Sequence, residues 1–506
     1  MVSVVNSAVS NGMEIQKIII EIDISGGIPD FRIVGIPESG ARESRERVRS
    51  AIKNSGFDFP IRKIVVNIAP ANIRKDAASY DLPIAIAILK ATGQIKDDPN
   101  LNQYIFLGEL GLDGKLRGVK GVLPVVLNFK KKEYQFIVPG INAREVAVAG
   151  LNCHIFSSLK EIANFLNGSS HENIELSDNL ISKELNKKIK TIYDFSQVKG
   201  QAFAKRGIEV AIAGGHNILI IGSPGTGKTM LAKCIPGILP ALKKEEILEI
   251  TKIYSIAGEL DEENPIISSP PFRSPHHSSS ISGIIGGGIF PKPGEVSLSH
   301  LGVLFLDEIS EYERRILESL REPMEDGEVT ISRLKGKVKY PGDFILVGTM
   351  NPCPCGYYGS SRQECFCTES QIRKYKNKLS GPLIDRIDII INSHEVDFND
   401  LRCSNLEESS KGIKIRIEKA RGLQNKRFSA RKRKINSVMD KDDLKKYCTL
   451  DLDSEELLKK AFSHLNLSAR AHDKILKVAR TIADMEGREN INSEDLGEAI
   501  QYRIKN

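Results

Sequence analysis

The stretch GSPGTGKT, residues 222–229, decides how the chain is read. It fits G-x-x-x-x-G-K-[ST], directly follows the apolar run NILII (217–221) and precedes MLAKCI (230–235). A strand, a glycine-rich turn and a helix N-terminus in that order form a phosphate cradle. Backbone N–H groups wrap the anion, and the helix end adds positive partial charge. Gly222, Ser223, Pro224, Gly225, Thr226 and Gly227 are the candidate cradle. Lys228 is expected to reach the β- and γ-phosphates, and Thr229 to ligate Mg²⁺. A bare glycine-rich turn is the competing reading; the flanking strand and helix argue against it.

Downstream, VLFLDE (303–308) reads as a buried strand ending in two carboxylates. Asp307 suits the Mg²⁺ shell, and Glu308 suits polarisation of an attacking water. A third strand, DFILVGTMN (343–351), ends in Asn351, which could orient that water. Arg386, in SGPLIDRID, and Arg470, in LSARAHDKIL, are candidates to neutralise charge on the transferring phosphoryl group. Each arginine alone reads equally as a surface ion-pair residue; their joint order along the chain is the argument.

The rest of the chain frames this core. The 506 residues predict two or three domains, with 41% hydrophobic and 27% charged residues, as in ordinary globular protein. No apolar run is long enough to span a membrane, and no basic start precedes a long apolar segment, so a cytoplasmic location is expected. Net charge is a mild +7, so where the cations sit matters more than their sum. Eight cysteines in a cytosolic chain do not suggest a disulfide framework.

Residues 1–165 alternate strands (15–24, 63–70, 135–140) with helices (39–56, 81–95) and predict an α/β or α+β domain. Residues 166–190 are polar and weakly periodic, a linker. Residues 191–393 read as the phosphate-binding α/β core, with a parallel sheet. Residues 394–506 turn helical, with apolar spacing near 3.6 at 412–428, 451–466, 468–486 and 492–504.

Together these motifs resemble an AAA+ ATPase. The segments FRSPHHSSSISGIIGGGIFPKPGEVSLSHLGVLFLDE, LESLREPMEDGEVTISR and IVGIPESGARESRERVRSAI narrow the likeness to the magnesium-chelatase-like ComM/YifB family, over essentially the whole chain. The resemblance implies a Lon-protease-like (ribosomal S5-like) N-terminal domain, a P-loop AAA+ core and a C-terminal helical lid. It implies ATP and Mg²⁺ as cofactors and a homo-hexameric ring. The function implied is that of a helicase promoting branch migration during homologous recombination in natural transformation. It gives Asn351 the role of sensor 1, Arg470 that of sensor 2 and Arg386 that of an arginine finger acting on a neighbouring subunit.

VTISRLKGKVKY (329–340) alternates apolar residues in two arms, with Lys335-Gly336 where a tight turn is expected. Its cations Arg333, Lys335, Lys337 and Lys339 read as unneutralised, and the resemblance implies a hairpin projecting into a ring pore. DNA phosphates are the expected target, without sequence preference. A solvated edge hairpin is the alternative.

Cys353, Cys355, Cys365 and Cys367 form a C-x-C, nine-residue, C-x-C set, a candidate Zn²⁺ site with shorter spacing than the usual knuckle. Unliganded thiols are the alternative. In RKDAASYDLP, Ser79 lies close to a Lon-type nucleophile. The partner lysine position holds Val122, with Lys120 two residues off, so the domain is expected to be a degenerate scaffold. His276 and His277 suit a loop hydrogen bond or a DNA contact better than a metal. The run 426–434 has six cations and reads as a solvated helix end. Rival readings of the whole are a magnesium chelatase motor subunit, a protease or unfoldase, and a nucleotide-gated DNA clamp.

Overall fold

A computed structural model describes residues 2–503 apart from 71–76, 97, 130–133, 148, 150–152, 171–191, 261–263, 289–290, 334–335, 362, 394–406, 430, 432–433 and 466. The expected linker therefore falls largely outside the described residues; its first residue, Leu166, closes the helix Leu159–Leu166.

The N-terminal strands are β1 (Val2–Asn11), β2 (Glu14–Ser25), β3 (Asp30–Val34), β4 (Lys63–Ala69), β5 (Tyr104–Phe106), β6 (Gln135–Pro139) and β7 (Cys153–Phe156). They form one mixed sheet in the order β3-β4-β2-β1-β5-β6-β7. Gly12 (φ +64) allows the β1–β2 reversal, which closes at Asn11↔Glu14. Two helices pack on this sheet, α1 (Glu38–Asn54) and α2 (Asp81–Ala91). α2 is buried from Asp81 to Leu89, which is why its sequence lacks a polar face. α1 begins at Glu38 after Pro37 rather than at the expected serine, because proline pre-sets the entry to the first turn.

The second sheet contains β8 (Ile218–Gly222), β9 (Phe272–Arg273), β10 (Val303–Leu306), β13 (Ile345–Met350) and β14 (Ile389–Ser393). Between β10 and β13 a separate two-stranded hairpin is formed by β11 (Glu328–Arg333) and β12 (Gly336–Pro341). The five core strands are parallel in the order β9-β10-β13-β8-β14. Their near-continuous apolar runs fit a sheet covered on both faces. The helices of this half are α4 (Ala202–Gly214), α5 (Lys228–Cys234) and α6 (Lys244–Ala257); α3 (Val122–Phe129) belongs to the N-terminal half. Of the C-terminal helices α7 (Ser410–Arg427), α8 (Leu452–His464), α9 (Ala469–Met485) and α10 (Ser493–Gln501), α7 and α9 pack against α4, α10 packs on α9, and α8 packs on α10. One apolar cluster runs from Ile220 through Ile208 and Ile212 to Ile417, Ile475 and Ile482, so sheet and helical region share a core. Mixed α/β architecture, a parallel sheet and a helical C-terminal region fit an AAA+ fold.

The two halves meet where α3 approaches α6. The hydroxyl of Ser255 donates to the buried Glu145 carboxylate. Glu145 also accepts from the Leu123 N–H (3.0 Å) and the Asn142 amide (2.9 Å). Burial pushes the Glu145 carboxyl above its ordinary range, against the pull of these three donors. Backbone closes the seam too, with Gly121 N–H donating to Ser255 C=O at 3.1 Å.

The helical region is tied to the sheet by a buried charge. Asp388, just before β14, lies 2.8 Å from Lys474 of α9 and 3.6 Å from His216, and it accepts from Asn217 N–H at 3.0 Å. Burial alone would raise the Asp388 carboxyl, but the Lys474 ammonium holds it far below the usual range. Burial keeps the His216 imidazole neutral, against the pull of Asp388. Both shifts make stability fall as the pH is lowered. His216 costs stability once the unfolded chain gains a proton, below about pH 6.5. Asp388 loses its contribution as pH falls from its unfolded range, near 4, through its depressed folded value. Asp388→Asn should cost about 3–5 kcal/mol at neutral pH by leaving Lys474 buried and unpaired. A thermal-melt series should show the gap from wild type shrinking as pH falls towards ~2; a constant gap contradicts this account.

Candidate nucleotide site and cationic hairpin

The loop after β8 presents Gly225 (φ +79) and Gly227 (φ +84), conformations that favour glycine. A Cβ at either position would meet nothing within 4 Å, so the concave side of the loop is open. Lys228 Nζ lies back over the loop. It donates to Gly222 C=O (2.7 Å), Ser223 C=O (2.8 Å) and Asn351 Oδ1 (3.2 Å). Burial lowers its pKa, and the Asp307 and Glu308 carboxylates pull it partly back. An open glycine cradle with a lysine held only by neutral oxygens fits a polyphosphate.

Asp307 directly follows β10 and accepts from Thr229 Oγ1 at 3.2 and 3.1 Å. Thr349 on the neighbouring β13 also donates to Asp307, at 2.5 Å, and accepts from the Glu308 N–H at 2.9 Å. Thr349 thereby orients both carboxylate residues, yet nothing in the sequence singled it out; its signal was only its place two residues before Asn351. Glu308 is exposed and takes φ +48. That left-handed conformation costs roughly 1–2 kcal/mol in a non-glycine residue. Thr229 and Asp307 could hold Mg²⁺, with Glu308 free beside them. Gln201 (φ +58) is a second residue the sequence reading missed; it donates to Thr226 C=O at 3.2 Å and fixes the back of the loop.

The two arginines lie elsewhere. Arg386 precedes β14, and its carbonyl accepts from Asn217 Nδ2 (3.1 Å), just before β8. β8 and β14 run parallel, Ile218↔Ile389 to Gly222↔Ser393. Arg386 thus sits at the start of the strands and the phosphate loop at their end, about 13–16 Å away along the sheet. Arg386 donates to Pro382 C=O (2.9 Å), pairs with Glu325, and has a buried Nε without a partner among the described residues. Arg470 lies 4.0 Å from Asp385, with its side chain 68% exposed. Both arginines line one cleft of about 370 Å³, together with Lys474 and Lys477. The chain does not bring either arginine to its own phosphate loop.

The hairpin pairs Val329↔Tyr340 and Ile331↔Val338, all four buried, and Thr330↔Lys339 and Ser332↔Lys337 on the other face. Lys337 and Lys339 are exposed. Two expectations need correction. Gly336 is not in the turn: it pairs with Arg333 as the first residue of β12, and Lys335 lies outside the described residues. The cations are not all unneutralised: Lys339 pairs with Glu328 at 3.0 Å, an acid one residue before the stretch considered. That pair is exposed, so it holds little energy and can open to a stronger anion. Val338 rests against the β1–β2 turn, where a Cβ on Gly12 would lie 2.2 Å from its Cγ1.

The remaining candidates divide. The four cysteines converge, their sulfurs all within 4.8 Å of one another. Ser79 lies in the short 3-10 turn Ala77–Tyr80, Val122 is buried, and the Lys120 side chain lies along Gly258 after α6. His276 is exposed and shares 2.8 Å with Ser278 Oγ, a loop hydrogen bond. In the basic run, Arg427 bonds Asp484 at 2.6 and 2.7 Å, and Arg431 pairs with Asp440 and Asp443, so these two cations brace the helical region.

Comparison with known proteins shows the family. The chain matches the families described as Magnesium chelatase, subunit ChlI (residues 194–401), Subunit ChlI of Mg-chelatase (20–142) and Magnesium chelatase, subunit ChlI C-terminal (407–503). It is 40% identical to competence protein ComM of Haemophilus influenzae, over 99% of this chain and 97% of that protein. It is 41% identical to the uncharacterized protein YifB of Escherichia coli, over the same shares. A magnesium-chelatase subunit ChlI homolog of Methanocaldococcus jannaschii is 24% identical over 62% of this chain and 84% of its own length. Among the described residues, no helix is long and apolar enough to cross a membrane. With near-full-length identity of this order, the chain belongs to the magnesium-chelatase-like ComM/YifB family of AAA+ ATPases.

Proposed function

We propose that the protein is an ATP-driven ring motor on DNA, a homo-hexameric helicase that promotes branch migration during homologous recombination in natural transformation. The observation that carries this reading is the separation of the two halves of the hydrolytic site. Lys228, Thr229, Asp307 and Glu308 stand at one edge of the sheet, Arg386 and Arg470 at the other. A ring supplies the missing arginines, because the starting edge of one subunit can face the phosphate loop of the next. In this reading Lys228 binds the phosphates and Asp307 with Thr229 holds Mg²⁺, which supplies charge neutralisation. Glu308 takes the proton of the attacking water, Asn351 orients it, and the neighbour's Arg386 and Arg470 neutralise the γ-phosphoryl oxygens. Arg470, given the role of sensor 2 by the resemblance, is read here as serving the next subunit's site.

Lys337 and Lys339, with Arg333 and Lys335 of the same hairpin, would contact DNA phosphates in the pore. The relative named a competence protein supports a role in competence. Polypeptide threading is disfavoured, because Tyr340, the hairpin's aromatic, is buried with its hydroxyl on Pro291 C=O at 2.6 Å. The N-terminal region does not exclude a chelatase motor, since one matching family there is described by the chelatase subunit. We read residues 1–165 as a degenerate Lon-protease-like scaffold, 191–393 as the AAA+ core and 394–506 as the lid.

Two measurements decide the reading. Glu308→Gln should bind ATP yet hydrolyse it about 10²–10⁴-fold more slowly, Arg386→Ala should lose about 10³-fold or more, and Lys228→Ala should lose nucleotide binding. Mixing Glu308→Gln with Arg386→Ala subunits should restore measurable turnover, because some interfaces then combine an intact acid with an intact arginine; no recovery sinks the shared site. Lys337→Ala with Lys339→Ala should weaken binding to a four-way DNA junction. It should also flatten the log–log salt dependence by about 0.7–0.9 for each phosphate no longer neutralised. Unchanged affinity and slope, or no ATP-dependent junction movement in wild type, would remove DNA as the substrate.

A further inference from the structure

The cysteine cluster lies outside the hydrolytic chemistry described so far, yet it touches the phosphate loop. Cys353 is buried and Cys355, Cys365 and Cys367 are half-buried. Sulfur separations are 3.3 Å (Cys353–Cys355), 3.7 Å (Cys353–Cys365) and 3.6 Å (Cys355–Cys365). A disulfide would need about 2.05 Å. Four thiolates around Zn²⁺ at about 2.3 Å form a tetrahedron with edges near 3.8 Å. The observed spacings therefore match a metal cage and not a bond between pairs. The Tyr358 N–H lies 3.3 Å from Cys353 Sγ and donates to it, the kind of outer contact that steadies a metal-bound thiolate. Among the described residues this is the one group of three or more His, Cys, Asp or Glu side chains whose ligand atoms converge in this way.

We propose that Cys353, Cys355, Cys365 and Cys367 bind one Zn²⁺ and that the ion braces the phosphate loop. The link is short. Cys353 follows Asn351 by two residues, and Asn351 Oδ1 holds Lys228 Nζ at 3.2 Å. Gly356 (φ +89) turns the chain inside the cluster so closely against the loop that a Cβ there would lie 2.7 Å from Pro224 Cγ and Cδ. The metal thus fixes a knuckle that carries Asn351 at one end and leans on Pro224 at the other. Removing it frees both ends at once. The bracing part rests on the reading of residues 222–229 as the ATP site; the metal site does not.

The test uses the full chain, purified reduced and without chelator. Metal analysis should find one Zn²⁺ per chain in wild type and almost none in Cys365→Ser/Cys367→Ser. Exchange into Co²⁺ should give the visible bands of a tetrahedral thiolate site. Stripping wild type with the zinc chelator TPEN should weaken mant-ATP binding roughly tenfold or more, and adding Zn²⁺ back should restore it. That reversible arm needs no variant to fold. Zinc near zero in wild type overturns the site. Zinc present, with mant-ATP affinity unchanged on its removal, overturns the bracing. Zinc-loaded wild type that binds no mant-ATP overturns the bracing together with the phosphate-loop reading, while the metal count alone still decides the zinc site.

Discussion

A parallel sheet has two unlike edges, and everything in this site follows from that. All five strands of the core point the same way, so their ends collect at one edge and their starts at the other. The ending edge gathers the phosphate loop, Asp307, Glu308 and Asn351. The starting edge gathers Asn217, Asp388 and Arg386. Asn217 staples that edge: its N–H reaches Asp388, its amide N–H reaches the Arg386 carbonyl, and its Oδ1 takes the Leu346 N–H at 2.8 Å. Strand length then sets a separation that neither Arg386 nor Arg470 bridges.

Within the ending edge, hydroxyls do the positioning. Thr229 and Thr349 both turn towards Asp307, and Thr349 also receives the N–H of Glu308. One carboxylate is held by donors from two elements, while its neighbour stands exposed in a left-handed conformation. Such local strain in an acidic residue beside a phosphate loop is where chemistry is commonly found. Lys228 rests on neutral carbonyl oxygens and, among the described residues, has no ion-pair partner to abandon when an anion arrives.

What the sequence could reveal depended on contiguity. The phosphate loop, β8, β10, β13 and the four long C-terminal helices each carry their signal in adjacent or regularly spaced residues. β9, with two residues, and β14, hidden inside IDIIINS, do not. β1 was missed because its alternation is broken by buried Asn6 and Ser7, which bond across to Asn102 and Phe106 carbonyls. Thr349 and Gln201 act on partners dozens or more residues away, so no local pattern marks them. The hairpin turn was misplaced by one residue because a Lys-Gly pair satisfies turn chemistry in either register. The common cleft of Arg386 and Arg470 arises from a packing of α9 on the sheet edge that no linear motif contains. Four converging thiols were legible as a composition, whereas their contact with Pro224 was not.

The root of the cationic hairpin rests on Gly12, in the very first turn of the chain. Sequence neighbours and spatial neighbours are therefore at odds: the ATPase region ends up seated on a segment synthesised long before it. A shortened protein beginning after the polar connection would not be a smaller version of the same engine. It would carry an apolar scar around Val338 and an orphaned serine at Ser255. The opening strands are better regarded as the chassis on which the cationic finger is mounted.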